Sequence, residues 1–304
     1  MHLTLAHTPD SDDAFMFYGL AEGQVDTRGH TFEHVLHDIQ SLNEMAYKEV
    51  YDITAVSMYA YAAVADRYAL LPTGASMGDG YGPRLVGKRA YSQEELKKLC
   101  IAIPGRKTSA FLALQLYLNT PGDALNLVVV PFDQIFNALE GGKADVGLLI
   151  HEGQLTYLDR GLTLSKDLGQ WWHESTGGLP LPLGTNVVRR ALGAEVMRDV
   201  ACVLQESILY GLQHRKASVR ASMAYGRGLD EARTDQFIGM YVNELTIDYG
   251  ERGRAGVREF LKRGADMGLV PRMEIEFVET GLPLPKITLP NVDSTARTQE
   301  ATAH

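Results

Sequence analysis

The chain has 304 residues, of which 45% are hydrophobic and 22% are charged, as in an ordinary globular protein. Its formal net charge of −9 argues against a protein that binds nucleic acid or an anionic membrane through a broad basic surface. The two cysteines, Cys100 and Cys202, form no Cys-x-x-Cys pair, so the sequence predicts neither a disulfide framework nor a cysteine metal site. A small anionic ligand is compatible with the negative net charge, because a protein with an acidic surface can contain a local positive pocket.

The N-terminal residues 1–7 are too short and too polar for a secretory signal peptide, and they predict a first strand. No stretch of the sequence is long and apolar enough to span a bilayer. We therefore expect a cytoplasmic protein.

Strand-like and helical patterns alternate after this first strand, which is typical of α/β proteins. Residues 8–13 are predicted to form a turn in which Asp12 or Asp13 caps a helix that begins at Ala14. Further along, apolar runs predict strands and amphipathic runs predict helices. The predicted strands are 31–36, 51–56, 99–103, 127–130 and 144–150, and the predicted helices are 39–50, 110–118 and 132–139.

The last third of the chain has the spacing of helices rather than strands. A chain that begins one α/β lobe, builds a second and then returns with helices predicts two lobes joined by two crossings. We place these crossings near Val86 and near Asn186. The predicted C-terminal helices are 192–214, 218–225, 235–245 and 256–267.

These crossings predict a discontinuous first lobe, 1–86 with 187–284, and an inserted second lobe, 87–186. Residues 285–304 are poor in apolar side chains and are predicted to be a disordered tail. Ligands of open α/β sheets bind beyond the carboxyl ends of the strands. Two such lobes that face each other therefore predict a ligand cleft that closes by hinge motion.

The first candidate for ligand binding is the segment that starts at Gly105, between a predicted strand and a predicted helix. It is not a Walker A loop, because Cys100 occupies the place of the required second glycine and Arg106 follows Gly105. Two roles are open for Thr108 and Ser109 at the start of the helix. They could hold a carboxylate with hydroxyls and free backbone N–H groups, or they could simply cap the helix.

The second candidate is His151, which follows the apolar run 146–150 at the carboxyl end of a predicted buried strand. An imidazole titrates near neutral pH and suits a general base at such a place. A zinc motif of the His-Glu-x-x-His type is excluded, because Leu155 stands where the second histidine would be. A purely structural histidine is the alternative, and Glu152 either orients the imidazole or faces solvent.

Trp171 and Trp172 stand side by side. One of them is predicted to be a packing anchor between the lobes, and the other is a candidate stacking wall for a flat ligand.

Four short motifs, in chain order, resemble the 1,4-dihydroxy-6-naphthoate synthase family, and the resemblance extends from the first strand to about Leu284. It implies the fold of the type II periplasmic binding proteins and a place in the futalosine route to menaquinone. The motifs are Pro-Asp-Ser-Asp-Asp-Ala-Phe-Met-Phe at 9–17, Pro-Gly-Arg-Lys-Thr-Ser at 104–109, Gly-Leu-Leu-Ile-His-Glu at 147–152 and Asp-Leu-Gly-Gln-Trp-Trp at 167–172.

The resemblance implies a carbon–carbon lyase that converts cyclic dehypoxanthine futalosine to 1,4-dihydroxy-6-naphthoate and releases a sugar-derived fragment. It implies no metal and no redox cofactor. The base proposed for the family is the histidine of the Ile-His-Glu motif, which is His151 here. The substrate-contacting stretches of the family fall on Ala55, Val56 and Ser57 and on Thr108, Ser109 and Ala110.

The chain departs from the family pattern in two places. Many members have Ser-Pro-Cys-Pro-Asn-Asp-Thr-Phe near the start, where residues 7–15 read His-Thr-Pro-Asp-Ser-Asp-Asp-Ala-Phe. Many also have Thr-Thr where this chain has Thr108 and Ser109, which keeps a hydroxyl. We expect Ser57, Thr108 and Ser109 to hold polar groups of the substrate, including a carboxylate. The residues Arg84, Arg106 and Lys107 are equal candidates to meet that carboxylate.

Two other functions compete with the synthase, and the sequence does not predict an oligomeric state for any of them. A cytosolic small-molecule binding module of the same fold is one, although the expected helix-turn-helix of a regulator and the export signal of a transport protein do not precede the first strand. Chorismate dehydratase of the same pathway is the other. Its segment aligned with 150–152 lacks the histidine, so the pair His151 and Glu152 favours the synthase.

Overall fold

The structure is a computed structural model that describes residues 1–282, so the predicted tail, 285–304, lies outside the described residues. Its strands are β1 His2–His7, β2 Thr31–Leu36, β3 Ile53–Ser57, β4 Tyr68–Leu70, β5 Ser76–Gly78, β6 Arg84–Gly87, β7 Ile101–Ile103, β8 Leu127–Val129, β9 Val146–Leu149, β10 Thr163–Asp167 and β11 Leu181–Arg189.

The described helices differ widely in length, and none of them is both long and apolar enough to cross a membrane. They are α1 Ser11–Met16, α2 Tyr18–Ala21, α3 Ile39–Ala46, α4 Met58–Tyr61, α5 Gln93–Leu96, α6 Ser109–Leu118, α7 Ile135–Glu140, α8 Gly153–Thr156, α9 Leu168–Thr176, α10 Ala194–Gln213, α11 Arg215–Ser222, α12 Glu231–Tyr241, α13 Glu244–Ile247 and α14 Gly250–Asp266. Single 3₁₀ turns span Gly122–Ala124, Phe132–Gln134, Leu158–Arg160, Arg190–Leu192 and Met223–Tyr225.

The first sheet has the strand order β2-β1-β3-β11-β4, with β5 paired to β11. Strands β1, β2 and β3 are parallel, whereas β11 runs antiparallel to β3, β4 and β5. The centre of this sheet carries fully buried apolar side chains such as those of Leu5 and Ile53. Because parallel strands share one direction, the turn after His7 and the end of β3 at Ser57 lie at the same edge of the sheet.

The second sheet has the strand order β10-β6-β9-β7-β8. Strand β7 pairs in parallel with β8 and β9. Strand β6 pairs antiparallel with β9, and β10 pairs antiparallel with β6. The carboxyl ends of β7 and β9 therefore share an edge, where the chain continues towards Thr108 and His151.

The two sheets confirm the predicted two-lobed α/β architecture. By the pairing of its strands, the chain passes to the second sheet between Gly78 and Arg84 and returns to the first between Asp167 and Leu181. The predicted crossings, Val86 and Asn186, lie inside β6 and β11 respectively. An apolar run in the sequence predicts a buried strand, but it does not show which sheet that strand joins. The residue ranges given above for the two lobes therefore stay a prediction.

The turn after β1 differs from its predicted form. Helix α1 begins at Ser11, and the N-cap position is Asp10, whose side chain makes no capping hydrogen bond. The carboxylate of Asp13 lies within the helix and accepts hydrogen bonds from the backbone N–H and the hydroxyl of Thr8, at 2.7 and 2.8 Å. Neither Asp12 nor Asp13 therefore caps the helix, because Asp13 closes the preceding turn instead.

The tryptophan pair divides into one buried and one half-buried ring. Trp172 on α9 is 0% exposed, and its Nε1 donates to the carbonyl of Pro180 at 3.0 Å. Its ring meets Phe260 of α14 edge to face, with the ring centres 5.4 Å apart. Trp171 is only partly buried and lies against Tyr117, at 5.5 Å between ring centres. Trp172 is thus the packing anchor, joined to a core cluster that draws on both sheets.

We expect the substitution Trp172→Ala to lower the free energy of unfolding by about 3–5 kcal/mol, because it empties a fully buried site. The matched variant Trp171→Ala removes a half-buried ring and should cost clearly less. Urea unfolding followed by far-ultraviolet circular dichroism measures both variants. Equal losses would contradict the assignment of Trp172 as the anchor.

Candidate active site

A cavity lies between the two lobes, at the carboxyl ends of β1, β3, β7 and β9. Its empty volume, including the part open to solvent, is about 750 Å³, which is in the range of sites for small organic molecules. The lining side chains come from both lobes and from α12. They are Thr8, Asp10, Asp12, Asp13, Ile39, Ala55, Ser57, Gly74, Ser76, Pro83, Thr108, Ser109, Ala110, Ile150, His151, Gln154, Leu183, Gly184, Thr185, Asn186, Phe237 and Tyr241.

The structure brings most of the predicted site residues together at this cavity, although they come from three separate parts of the sequence. Val56 alone among them is not part of the wall, because it is fully buried in the core below β3. Side chains alternate between the faces of a strand, so Val56 points away from the side on which its two neighbours lie. The predicted residues that do line the cavity are Ala55, Ser57, Thr108, Ser109, Ala110 and His151.

None of the three candidate cations lines the cavity. Arg84 is held by Asp167, with 3.2 Å between Nε and a carboxylate oxygen. Arg106 is exposed and faces Asp123, and the ammonium of Lys107 lies 5.5 Å from the ring centre of Tyr59. Within the described residues, no arginine or lysine side chain lies in the cavity wall.

His151 lies two residues beyond the end of β9, with a backbone φ of +54°. This left-handed conformation is uncommon for a residue with a side chain, and such residues cluster at functional sites. The Nδ1 atom is 3.3 Å from a carboxylate oxygen of Asp10, and the ring packs against Phe132 with 4.6 Å between ring centres. The Nε2 atom has no hydrogen-bond partner within residues 1–282 and stays available to a ligand.

The carboxylate beside the imidazole belongs to Asp10, whose side chain is 2% exposed. Burial alone would raise the pKa of Asp10, but the charge that His151 carries when it is protonated and the permanent charge of Arg227 outweigh burial and hold the pKa below its usual value. Asp10 therefore stays ionised at neutral pH. A carboxylate at Nδ1 favours the tautomer that carries its proton on Nδ1, which leaves Nε2 as a proton acceptor.

Arg227 joins the two lobes next to this pair. It forms an ion pair with Asp10 of the first lobe, and its Nη1 donates to both carboxylate oxygens of Glu152 in the second lobe, at 3.1 and 2.9 Å. Its guanidinium also lies 4.6 Å from the ring centre of Phe132. Glu152 thus neither orients His151 directly nor faces solvent, because it is the counter-ion of Arg227.

The start of α6 presents backbone groups rather than hydroxyls. The Thr108 hydroxyl caps the helix by accepting from the N–H of Phe111 at 3.2 Å, and the Ser109 hydroxyl donates to the carbonyl of Leu183. The N–H groups of Ser109 and Ala110 have no backbone acceptor within the described residues. These two N–H groups and the helix dipole are what α6 offers to an anion.

Ser57 is locked by Asn43, which the sequence did not single out. The Ser57 N–H donates to Oδ1 of Asn43 at 2.8 Å, and Nδ2 of Asn43 donates to the Ser57 hydroxyl oxygen at 3.1 Å. The same Nδ2 reaches the carbonyl of Lys107 at 3.3 Å. Asn43 therefore fixes the end of β3 against the loop that leads into α6, and leaves the proton of the Ser57 hydroxyl free for a ligand.

The first lobe contributes two more buried carboxylates to the cavity wall. Burial and the negative charges of Asp13, Asp10 and Glu152 raise the pKa of Asp12 well above its usual value. Burial raises the pKa of Asp13 to about 6, against the hydrogen bonds from Thr8. The three acidic residues at the carboxyl end of β1 were a visible signal in the sequence, because that strand end is where α/β proteins bind ligands.

Arg227 gave no such signal, since it lies in a loop far along the chain with no recognisable pattern around it. Tyr241 and Gln154 are two further lining residues that sequence reasoning missed, and they hydrogen-bond to each other at 2.8 Å. As for metals, the described residues contain no group of three or more His, Cys, Asp or Glu side chains arranged to hold an ion.

We expect Arg227→Met to lower the free energy of unfolding at pH 7 by about 3 kcal/mol, because it leaves the buried carboxylates of Asp10 and Glu152 without a counter-ion. The control is Arg233→Met, which removes an exposed ion pair with Asp159 and should change the free energy by less than about 1 kcal/mol. Urea unfolding of both variants measures the difference. A loss in Arg227→Met as small as that of the control would show that this ion-pair network does not stabilise the fold.

The family model for menaquinone biosynthesis matches residues 3–266 of this chain. A 1,4-dihydroxy-6-naphthoate synthase of Streptomyces coelicolor is 37% identical over 273 residues, which covers 89% of this chain and 95% of the relative. A 1,4-dihydroxy-6-naphthoate synthase of Thermus thermophilus is 35% identical over 267 residues, with 88% and 95% covered.

Among solved structures, a protein of Archaeoglobus fulgidus superposes with a TM-score of 0.83 at 42% identity, covering 88% of this chain and 98% of that one. The alkanesulfonate-binding protein of Xanthomonas axonopodis superposes with a TM-score of 0.63 at 12% identity, covering 89% and 94%. The second likeness concerns the fold alone, and it confirms the periplasmic-binding-protein-like architecture. By its match to the family model and by its two synthase relatives, the chain belongs to the menaquinone-biosynthesis family.

Proposed function

We propose that this chain is a 1,4-dihydroxy-6-naphthoate synthase of the futalosine pathway. It converts cyclic dehypoxanthine futalosine to 1,4-dihydroxy-6-naphthoate as a carbon–carbon lyase. The family membership supports this activity, and one geometric observation carries it. His151 stands on the wall of the cavity between the lobes, with Nδ1 3.3 Å from the buried carboxylate of Asp10 and with Nε2 unpartnered among the residues that the structure describes.

His151 acts as the general base in this proposal. Carbon–carbon cleavage with aromatisation requires removal of a proton next to a carbonyl, and a positioned imidazole performs such transfers. Asp10 holds the Nδ1 proton and compensates the charge of the imidazolium that forms when Nε2 takes the proton. Arg227 helps to keep Asp10 ionised. Arg227 therefore supports His151 through Asp10, without contacting His151 itself.

The substrate carboxylate binds at the start of α6 in this proposal. Since no arginine or lysine side chain lines the cavity within the described residues, the anion is held by the N–H groups of Ser109 and Ala110 and by the Ser57 hydroxyl. Thr108 contributes as the helix cap that keeps these N–H groups in place. Ala55 and Ala110 contribute small side chains, which leave room for the ligand.

In this proposal the two lobes also close around the bound substrate. Side chains of both lobes surround the cavity, so closure around the substrate removes water from it. Exclusion of water protects an enolate-like intermediate from unwanted protonation.

We expect the unmutated protein to convert cyclic dehypoxanthine futalosine to dihydroxynaphthoate without an added cofactor, as followed by mass spectrometry and ultraviolet absorbance. His151→Asn should bind the substrate but lose turnover by about 100-fold or more, because the base is gone. The control His2→Asn changes a side chain that is 65% exposed on β1 and should leave turnover unchanged.

Normal turnover in His151→Asn would exclude this histidine as the base. Tight substrate binding by the unmutated protein without any product would instead favour a binding module of the same fold. Neither binding nor turnover would mean that the resemblance points to the wrong ligand, and chorismate would be tested next.

The role of α6 predicts a difference between two variants of one residue. Thr108→Val removes the cap at nearly unchanged shape, frays the start of the helix and should raise KM about fivefold, since a helix cap contributes about 1 kcal/mol. Thr108→Ser keeps the capping hydroxyl and should retain the KM of the unmutated protein. Steady-state kinetics on both variants provide the measurement, and an unchanged KM in Thr108→Val would rule out anion binding at this helix start.

A further inference from the structure

Two buried side-chain oxygens in the wall of the cavity have no hydrogen-bond partner within the described residues. They are Oδ1 of Asp12 and Oδ1 of Asn186, whose residues are 7% and 1% exposed. More than nine in ten buried polar groups in proteins are hydrogen-bonded, because an unsatisfied one costs free energy. Two such exceptions in the wall of one cavity single out this patch as a place where a ligand can supply the missing hydrogen bonds.

The two oxygens belong to one continuous patch. The hydroxyl of Ser76 donates to the other carboxylate oxygen of Asp12 at 3.5 Å, and Ser76 pairs with Gly184 across β5 and β11. Asn186 lies two residues further along β11, and side chains two positions apart face the same side of a strand. The patch therefore consists of Asp12, Ser76 and Asn186, all on the first lobe.

The orientation of the Asn186 amide is set by its surroundings. Its Nδ2 donates to the carbonyl of Gly74 at 3.0 Å, so the nitrogen end is occupied. Oδ1 is consequently the end left without a donor. Burial and the neighbouring carboxylates of Asp13 and Asp10 raise the pKa of Asp12, so its carboxyl group can carry a proton and donate a hydrogen bond as well as accept one, while Asn186 offers an acceptor. The negative charge of Asp13 and Asp10 makes the patch unsuited to an anion.

The chemistry of these acceptors suits hydroxyl groups. A divalent cation such as Ca²⁺ or Mg²⁺ needs six or more oxygen ligands, and the described residues form no cluster of that kind. A sugar hydroxyl both donates and accepts hydrogen bonds, so it can pair with the Asp12 carboxyl group in either protonation state and can donate to the amide oxygen of Asn186. The opposite lobe presents the unpaired N–H groups of α6, which suit an anion instead.

We propose that Asp12, Ser76 and Asn186 form a subsite that binds the hydroxyl groups of the sugar-derived part of the substrate. This inference rests on the proposed function, and it adds the orientation of the substrate within the cavity. The sugar-derived part lies against the first lobe, and the carboxylate lies against the start of α6 in the second. His151 stands beside the bond between them that breaks.

Two ligands distinguish binding at this subsite from binding in the rest of the cavity. Cyclic dehypoxanthine futalosine carries the sugar-derived part, whereas the product 1,4-dihydroxy-6-naphthoate lacks it. Calorimetric titration in the His151→Asn background measures the affinity for both ligands without turnover. Asp12→Ala and Asn186→Ala should each weaken substrate binding about tenfold and leave dihydroxynaphthoate binding within about twofold, as expected for the loss of one hydrogen bond to a buried acceptor.

Two controls accompany these variants. Thr108→Val should weaken the binding of both ligands, because both carry the carboxylate. Asp123→Ala changes a fully exposed aspartate outside the cavity wall and should affect neither ligand. Retained dihydroxynaphthoate binding also shows that a variant is folded, and Ser76→Ala, a milder change in the same patch, replaces any variant that fails to fold.

Turnover of the substrate by the unmutated protein, measured first, separates two kinds of failure. Absence of both turnover and binding would overturn the proposed function and the subsite with it. Turnover by the unmutated protein, with substrate affinity unchanged in Asp12→Ala and Asn186→Ala, would overturn the subsite alone. An equal loss of affinity for both ligands would also overturn it, since the patch would then not distinguish the sugar-derived part.

Discussion

Arg227 lies between two carboxylates that are almost completely withdrawn from water, those of Asp10 and Glu152. Burial of two negative charges in one small volume is unfavourable unless a cation is fixed beside them. Arg227 fulfils that condition and, in doing so, binds one carboxylate from each lobe. The imidazole of His151 therefore lies beside a carboxylate, that of Asp10, whose charge is balanced by this guanidinium.

The cavity follows from a simple property of parallel sheets. The ends of β1 and β3 share one edge in the first lobe, and the ends of β7 and β9 share one in the second. When two such edges face each other, residues distant in sequence line one space. The side chains within it are unevenly distributed, because carboxylates come from the first lobe, while the backbone N–H groups of α6 and the imidazole come from the second. That asymmetry underlies the orientation proposed above for the substrate.

Several features of this arrangement were predictable from residue patterns. The strands β1 and β2, the loop into α6 and the strand that ends before His151 follow from apolar runs and turn residues. Because ligands bind at the carboxyl ends of such strands, Thr108 and His151 were predictable as site residues from their positions, whereas Ser57 was predicted from the family resemblance. The roles of the hydroxyls were less predictable. The Ser109 hydroxyl donates a hydrogen bond to Leu183 of the other lobe and the Thr108 hydroxyl caps α6, so the backbone N–H groups rather than these hydroxyls are available to a ligand.

The sequence by itself determined the alternation of strands and helices, the two-lobed class and the strand ends at which chemistry is concentrated, since these depend on local periodicity and on short motifs. Only the tertiary structure decided that Asp10 rather than Glu152 faces His151, that Arg227 holds both carboxylates, and that Asp12 and Asn186 each keep one buried oxygen without a hydrogen-bond partner among residues 1–282. The reason is physical: ion pairing and hydrogen-bond satisfaction join residues that are far apart in the chain. No local pattern records which distant partner will occupy a buried charge.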